Sequence, residues 1–575
     1  MKKALLALGA VVLAAAVPPL VADSYYQNML IMTFLLAIMA SGWNIMGGYV
    51  GYISLGQSAF LGLGAYTTAI IANDLGVSPF LMAPVGGVAA GLLAALLGLV
   101  TARCRGTVFI IVTFALLALL GIVALNWTSL TNGSHGLVMD IPTWDPAYAN
   151  WPFYYVLLGL LALTVLMSWG IRRSRFGIGL LAIRDDEEKA AGLGVNTARY
   201  KLIAFVASSV PIGIAGGIYG YYLSFLDPKA MFTIVTSITL VLAALLGGAG
   251  TVWGPVLGAL LVEPFSQWTN LQFTGPDAGA WRLVLFGGAL LLVVLLLPKG
   301  ILPEIKRRLV RTPATAAVGK RLEHLPVRTG ARSTVTDEPL LEVAELHKSF
   351  GGLRVLDGCS VVVRRGSITG LIGPNGSGKT TVFNLIDGGM RPGSGTISFR
   401  GERIDNLARW TRTHRGIGRT YQLTRLFPRL TVLENVLAGA HRPERGLELL
   451  DLIGLADYRE QLAGGLSYGQ QKLVELAQVL MPDPQLVLLD EPAGGINPTQ
   501  IEQLAGLIRE LNQSGTTFLI VEHNMPLVLS LCDSVHVLAG GSRIASGTPQ
   551  EIQQNPLVLD AYLGADFAAL HRTGS

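Results

Sequence analysis

The stretch Gly373-Pro-Asn-Gly-Ser-Gly-Lys-Thr-Thr381 fits G-x-x-x-x-G-K-[ST], a loop whose backbone cradles phosphate. Before it runs Ser367-Ile-Thr-Gly-Leu-Ile372, which is short and apolar and reads as a buried strand. After it, Thr381-Val-Phe-Asn-Leu-Ile386 reads as the start of a helix. A strand passing into a helix through such a loop confines this part of the chain to an α/β nucleotide-binding fold. Gly373, Gly376 and Gly378 let the backbone turn with its N–H groups inward, where they and the helix N-terminus can hold phosphates. Lys379 is then placed for the β- and γ-phosphates and Thr380 for Mg²⁺, so ATP and Mg²⁺ are the expected cofactors. Pro374, Asn375, Ser377 and Thr381 complete the nucleotide-binding loop. Downstream, Gln485-Leu-Val-Leu-Leu-Asp490-Glu491 is an apolar strand ending in two carboxylates. There Asp490 can hold Mg²⁺ through water, and Glu491 can act as general base on an attacking water.

The composition is lopsided. The chain is 51% hydrophobic and only 14% charged, with the apolar excess before residue 300 and the charge after it. That division predicts a membrane half joined to a soluble half. The net charge of +5 lies largely in short loops and tails beside apolar segments, a positive-inside pattern and not a nucleic-acid footprint. Cys104, Cys359 and Cys532 are scattered without metal-ligand spacing and read as free thiols.

Candidate spans run 4–20, 28–46, 51–72, 80–102, 107–126, 152–171, 201–225, 232–247, 252–265 and 282–298, about ten at the ~20 residues a bilayer requires. The first follows Met-Lys-Lys and precedes Val21-Ala22-Asp23, so it also admits a cleaved signal peptide, with the same topology beyond it. Lys2 and Lys3, Arg103 and Arg105, the Arg172–Lys201 loop, and the group Lys299, Lys306, Arg307, Arg308 and Arg311 all fall on one side of that scheme. Both ends are then cytoplasmic, and Lys229 and Arg282 are isolated exceptions. No Asp, Glu, Lys or Arg stands clearly in mid-span, which points away from ion coupling and toward ATP as energy source. Small and polar residues around Asn44, Gly48, Gly51, Gln57 and Gly64 read as close helix packing, or as a polar path in which Asn44 and Gln57 are the best members.

The motifs of this half, in order, are Gly48-Tyr-Val-Gly-Tyr-Ile-Ser-Leu-Gly-Gln-Ser-Ala-Phe-Leu-Gly-Leu-Gly-Ala-Tyr66, Cys104-Arg-Gly-Thr-Val-Phe-Ile-Ile-Val-Thr113, Ser174-Arg-Phe-Gly177 and Gly247-Gly-Ala-Gly-Thr-Val-Trp-Gly-Pro255. They resemble the branched-chain amino acid permeases of ABC importers over nearly all of 28–303. Members of that group also carry urea, short amides or aromatic acids. In the soluble half, Leu466-Ser-Tyr-Gly-Gln470 resembles the ABC signature, and Arg425-Leu-Phe-Pro-Arg-Leu-Thr-Val-Leu-Glu-Asn-Val436 resembles the matching ATPase subunits.

The resemblance implies that Ser467 and Gly469 serve a nucleotide on a partner domain. It makes Gln422 the γ-phosphate-sensing and Mg²⁺-facing glutamine, and His523 the switch histidine. Phe350 would be the ring that stacks on adenine, against the plainer reading of core packing. Asp185-Asp-Glu-Glu-Lys-Ala-Ala-Gly-Leu-Gly194 reads as a short helix ended by its glycines, and resembles the importer loop that docks beside Gln422. The plainer reading is a solvated acidic loop. Asn497 stands where many relatives have Asp, and 440–449 is shorter than the family pattern.

The expected architecture is multi-domain. A polytopic α-helical permease domain at 1–302 is followed by a linker at 303–338 and an α/β ABC ATP-binding domain at 339–575. The linker's basic start can lie on the anionic inner leaflet of membrane lipid. The resemblance implies an ATP-hydrolysing importer in the bacterial inner membrane, with its ATPase domain in the cytoplasm. Its partners would be a second permease, a second ATPase subunit and an extracytoplasmic binding protein. An exporter, or a tethered ATPase driving a signalling partner, are the alternatives.

Overall fold

The computed structural model describes residues 16–20, 23–101, 106–142, 144–145, 148–272, 278–297, 300–309, 336–439 and 442–561. They divide into two compact units, Met1–Arg184 with Thr197–Ala317, and Asp185–Asn196 with Val318–Ser575. Lys2, Lys3, Arg103, Cys104, Arg105, Lys299, Arg311, Ala440, most of the first candidate span and residues 310–335 of the linker lie outside the described residues. So do the side chains of Arg282, Lys306, Arg307 and Arg308.

The first unit is helical. Each candidate stretch from 28–46 onward carries a helix, and six are long and apolar enough to cross a membrane: Ser24–Val50, Pro79–Thr101, Thr107–Asn126, Trp151–Arg173, Thr197–Leu223 and Pro228–Gly247. Small residues bring the backbones together, as the close-packing reading requires. A Cβ on Gly86 would come 2.6 Å from the Gly64 carbonyl oxygen, and one on Gly213 would meet Gly86 at 2.8 Å.

The helix from Ser24 widens into a π turn at Asn44–Val50 and stops at Gly51, whose φ of +82° suits glycine. Asn44 spends its amide on structure: its Nδ2 donates to Thr251 O at 2.9 Å and its Oδ1 accepts from Gly250 N at 2.7 Å. Gln57 Nε2 donates to Ser208 Oγ at 3.2 Å. Both side chains therefore tie helices and turns together.

The helix Gly254–Gln272, which is not among those six, runs beyond the 252–265 stretch, and Glu263 lies inside it with Gln267 donating to its Oε1 at 2.8 Å. Lys201 differs too. It is not a loop cation but a buried residue within Thr197–Leu223, with its Nζ 3.4 Å from the Tyr52 hydroxyl.

The second unit holds two sheets. Six strands lie in the order Ser542–Gly547, Ser534–Ala539, Ile368–Ile372, Thr517–Val521, Leu486–Asp490 and Ile417–Arg419. All are parallel except the first, which pairs antiparallel with its neighbour. Ile368–Ile372, Leu486–Asp490 and Thr517–Val521 are buried at every position, as strands covered on both faces must be. A second, antiparallel sheet is built from Leu353–Arg364, Pro339–Phe350, Ser394–Phe399 and Glu402–Arg403.

Cys359 and Cys532 are buried, which pushes their thiols up to about 11 and about 12. His536 is also buried. Its Nε2 lies 2.9 Å from Val362 O while its Nδ1 has no hydrogen-bond partner, and burial holds its pKa below the usual histidine value. The fold therefore favours neutral imidazole, while the unfolded chain takes up the proton near pH 6.5. Stability of this unit falls as pH drops from about 6.5 toward the folded value. Calorimetric midpoints of the full chain between about pH 7 and pH 5 should fall for wild type and flatten in His536→Gln.

Candidate nucleotide site

Parallel strands present their carboxyl ends on one edge of a sheet, and this is where α/β folds take ligands. Here Ile368–Ile372 ends in the glycine-rich loop, Leu486–Asp490 in the carboxylate pair, and Thr517–Val521, lying between them, in Glu522 and His523. The carboxylate strand is thus one strand removed from the loop strand, yet reaches the same edge.

Gly376 at φ +81° and Gly378 at φ +100° take conformations that only glycine holds cheaply, and the helix Lys379–Ile386 starts directly behind them. Lys379 Nζ donates to the carbonyls of Gly373 and Pro374 at 2.8 and 2.9 Å, which fixes it across the loop. Burial lowers its pKa, and Glu491 and Asp490 work against that shift. Ser377 Oγ is buried without a hydrogen-bond partner, and Thr380 stands exposed at the first turn. An orphaned hydroxyl, a lysine and a helix N-terminus on one glycine-rich loop fit a polyphosphate.

The metal-facing residues fit as well. One oxygen of buried Asp490 takes a 3.1 Å bond from Arg419 Nη2, which leaves the other for a hydrated cation. Burial pushes the Asp490 carboxyl up, while Arg419 pulls it back. Gln422 donates through Nε2 to Glu491 Oε2 at 2.9 Å and so keeps its amide oxygen as an acceptor. Thr380, Asp490 and Gln422 together offer the all-oxygen set that Mg²⁺ prefers.

Glu491 is the centre of the site. Its Oε1 lies 2.8 Å from His523 Nε2 and its Oε2 takes the Gln422 bond, so two distant loops hold one carboxylate. Its own φ is +48°, an uncommon backbone state for a non-glycine residue and one that recurs at working sites.

Two supports escaped the sequence reading. Lys472 Nζ donates to the carbonyls of Glu491 and Pro492 at 3.1 and 2.9 Å. Buried Glu522 accepts from Ala493 N at 2.7 Å and from His523 N at 3.0 Å, bracing both loops. Neither residue belongs to a phosphate-loop pattern, although Glu522 precedes His523 directly.

Ser467 and Gly469 sit apart. Ser467 caps the helix Tyr468–Leu480 in a reciprocal box with Gln470 and is exposed. A Cβ on Gly469 would meet the Gln500 amide at 2.7 Å. Phe350 is 45% exposed at the end of its strand, with Lys348 Nζ 5.5 Å from its ring, so it is not a core residue. Asn497 caps Pro498–Gln513 through a bond from Gln500 N at 2.9 Å, a job Asn performs as well as Asp.

The segment Asp185–Asn196 belongs to this second unit. Asp186 caps the short helix Glu187–Gly192 by accepting from Lys189 N at 2.9 Å. Ala190 and Leu193 are buried. Thr413 donates to Gly192 O at 2.9 Å, His414 Nε2 lies 2.9 Å from Gly194 O, and Arg425 donates to Asp186 at 3.3 Å. Gly439, just before the shortened stretch, stands so close to the Leu193 carbonyl that no Cβ fits there. Tyr421 and Arg425, on either side of Gln422, face this segment, while Gln422 itself turns to Glu491. Lys189, which reads as a loop cation, is buried with its Nζ 3.1 Å from Glu475, so a wholly solvated loop is excluded.

Comparison with known proteins places both halves. The family described as branched-chain amino acid transport system, permease component, matches residues 25–295. The ABC transporter family matches 356–494, and the branched-chain amino acid ATP-binding cassette transporter family matches 542–568. The high-affinity branched-chain amino acid transport ATP-binding protein LivG of Salmonella typhimurium is 38% identical over 251 residues, covering 40% of this chain and 98% of that protein. The corresponding BraF of Pseudomonas aeruginosa is 37% identical over 250 residues, covering 39% and 98%. A crystal structure of a nucleotide-free ATP-binding cassette from an ABC transporter aligns at 31% identity and a TM-score of 0.37, over 39% of this chain and 99% of that one.

Proposed function

We propose, for a chain that belongs to the branched-chain amino acid ABC transporter family and carries its permease and ATP-binding domains in one polypeptide, ATP-driven uptake of branched-chain amino acids or closely related small solutes across a bacterial inner membrane. The observation that carries this reading is the convergence of Gln422 and His523 on the two oxygens of Glu491, beside a complete phosphate loop. The loop backbone and Lys379 bind and orient the phosphates. Thr380, Asp490 and Gln422 would hold Mg²⁺, which would supply positive charge against the phosphates. Glu491 orients the attacking water and accepts its proton, with His523 and Gln422 fixing the carboxylate. Phe350, exposed at its strand end, takes the adenine ring.

Ser467 and Gly469, whose contacts lie within their own helix cap and near Gln500, serve a nucleotide held by a partner subunit in this reading. A second permease and a second ATPase subunit complete the assembly, and a solute-binding protein delivers the substrate. About ten spans in the 1–302 domain, counted at ~20 residues each, put both ends on the cytoplasmic side. The 185–196 segment links the spans to hydrolysis through the residues around Gln422.

Uptake of labelled leucine by cells expressing this chain with its partner subunits tests the reading. Expected is ATP-dependent accumulation that Lys379→Ala removes. Efflux alone would favour an exporter, and ATP hydrolysis without movement of any solute would favour a tethered ATPase.

A further inference from the structure

Glu491, directly after the strand Leu486–Asp490, keeps a φ of +48°, a state that is costly for a non-glycine residue and persists only where its surroundings over-determine it. The backbone groups of residues 491–493 show what does so. Glu491 N donates to Val521 O at 2.9 Å, which continues the ladder between its strand and Thr517–Val521. The Glu491 carbonyl accepts from Gly494 N at 3.1 Å and from Lys472 Nζ at 3.1 Å. Pro492 has no N–H, and its carbonyl takes a second bond from Lys472 Nζ at 2.9 Å. Ala493 N donates to Glu522 Oε1 at 2.7 Å, while Glu522 Oε2 accepts from His523 N at 3.0 Å and Asn524 N at 3.2 Å. A cation on one element thus holds the carbonyls of this turn, and a buried anion on another holds its amide. Lys472 is itself aimed. It stands four positions after Tyr468 on the helix Tyr468–Leu480, with its Nζ 5.5 Å from the centre of the Tyr468 ring. The same ring lies against the loop that follows Glu491, since a Cβ on Gly495 would come within 2.9 Å of it.

We infer that Lys472 and Glu522 together hold Glu491 in its left-handed backbone state and so aim its carboxylate at the attacking water. The inference rests on the reading of Glu491 as general base. Its two ends are then held by different groups. Gln422 and His523 grip the carboxylate oxygens, while Lys472 and Glu522 fix the backbone from which the side chain projects. Without the Lys472 ammonium, two carbonyls of the turn lose their charged donor, and φ can relax to an ordinary value. The Cα–Cβ bond of Glu491 then takes a new direction and carries the carboxylate with it. Lys379 keeps its own bonds to the Gly373 and Pro374 carbonyls, so the phosphate loop stays in place. Lys472 and Glu522 are positioning residues in this scheme: they act on hydrolysis through Glu491 and leave nucleotide affinity alone.

Single-turnover hydrolysis of ATP and binding of a fluorescent ATP analogue, both by the full chain, test this. Lys472→Met keeps the length of the stem and removes the donors. It should bind the analogue as wild type does and hydrolyse ATP about 10- to 100-fold more slowly, the scale of a reacting group misplaced by ~1 Å. Lys472→Arg, which can still donate to both carbonyls, should recover most of the rate. Glu522→Gln keeps one acceptor oxygen where two are used, and should slow hydrolysis in the same way with binding again unchanged. In a Glu491→Gln background, Lys472→Met should cost nothing further, because no base is left to aim. Wild-type hydrolysis in Lys472→Met, a loss of rate matched by an equal loss of binding, or the full Lys472→Met effect on top of Glu491→Gln overturns the inference. Wild-type hydrolysis in Glu491→Gln would instead overturn the reading beneath it, so the two failures are told apart.

Discussion

Glu491→Gln should bind ATP at wild-type strength and hydrolyse it about 10²- to 10⁴-fold more slowly, the range a positioned general base contributes. The amide keeps the size of the carboxylate and a carbonyl oxygen for Gln422, so the site should stay assembled. It loses the proton acceptor and the anionic partner of His523, whose Nε2 lies 2.8 Å from Oε1. His523→Ala should be milder, because it releases one side of a carboxylate that Gln422 still holds through the other oxygen. Single-turnover hydrolysis and nucleotide binding, measured side by side, separate chemistry from affinity. Wild-type hydrolysis in Glu491→Gln would remove Glu491 from the reaction.

What could be read in advance depended on how local the signal is. The phosphate loop is a run of contiguous residues whose strand, turn and helix are all set by near neighbours, so its position and its glycines were legible. The pair Asp490–Glu491 was legible because a fully apolar strand ending in two acids is unusual. Gln422 and His523 were found only through resemblance, since nothing in a single Gln or His reveals that both end on one carboxylate. Arg419 was invisible for a stronger reason. Its partners lie 32 and 71 positions away, and only the packed sheet brings them within 3.1 Å. Lys189 was misplaced because charge in a sequence suggests water. In the fold its partner Glu475 removes that inference.

Lys189→Met should loosen the 185–196 segment by about 3 kcal/mol, at the low end of what breaking a buried ion pair costs. Lys189 and Glu475 have side-chain exposures of 2% and 3%, and their contact is 3.1 Å. Burial lowers the lysine pKa, while Glu475 and Asp186 favour the charged form. Without Lys189, the Glu475 carboxylate stays buried with a 3.3 Å bond from Arg425 N as partial compensation, which places the cost low in its range. Glu475 lies on the helix Tyr468–Leu480 that Ser467 caps, so this pair ties the segment to that helix. A loss of that size shifts the held fraction on the order of 100-fold. Hydrolysis by the chain should survive while solute uptake fails. The double variant Lys189→Met/Glu475→Leu puts apolar groups of similar bulk on both sides and should recover most of the docking, because two well-packed hydrophobes can replace a buried pair at little or no cost. Limited proteolysis across 185–196, set beside uptake, checks both halves. Equal uptake in wild type, Lys189→Met and the double variant would mean that the pair holds nothing that transport needs.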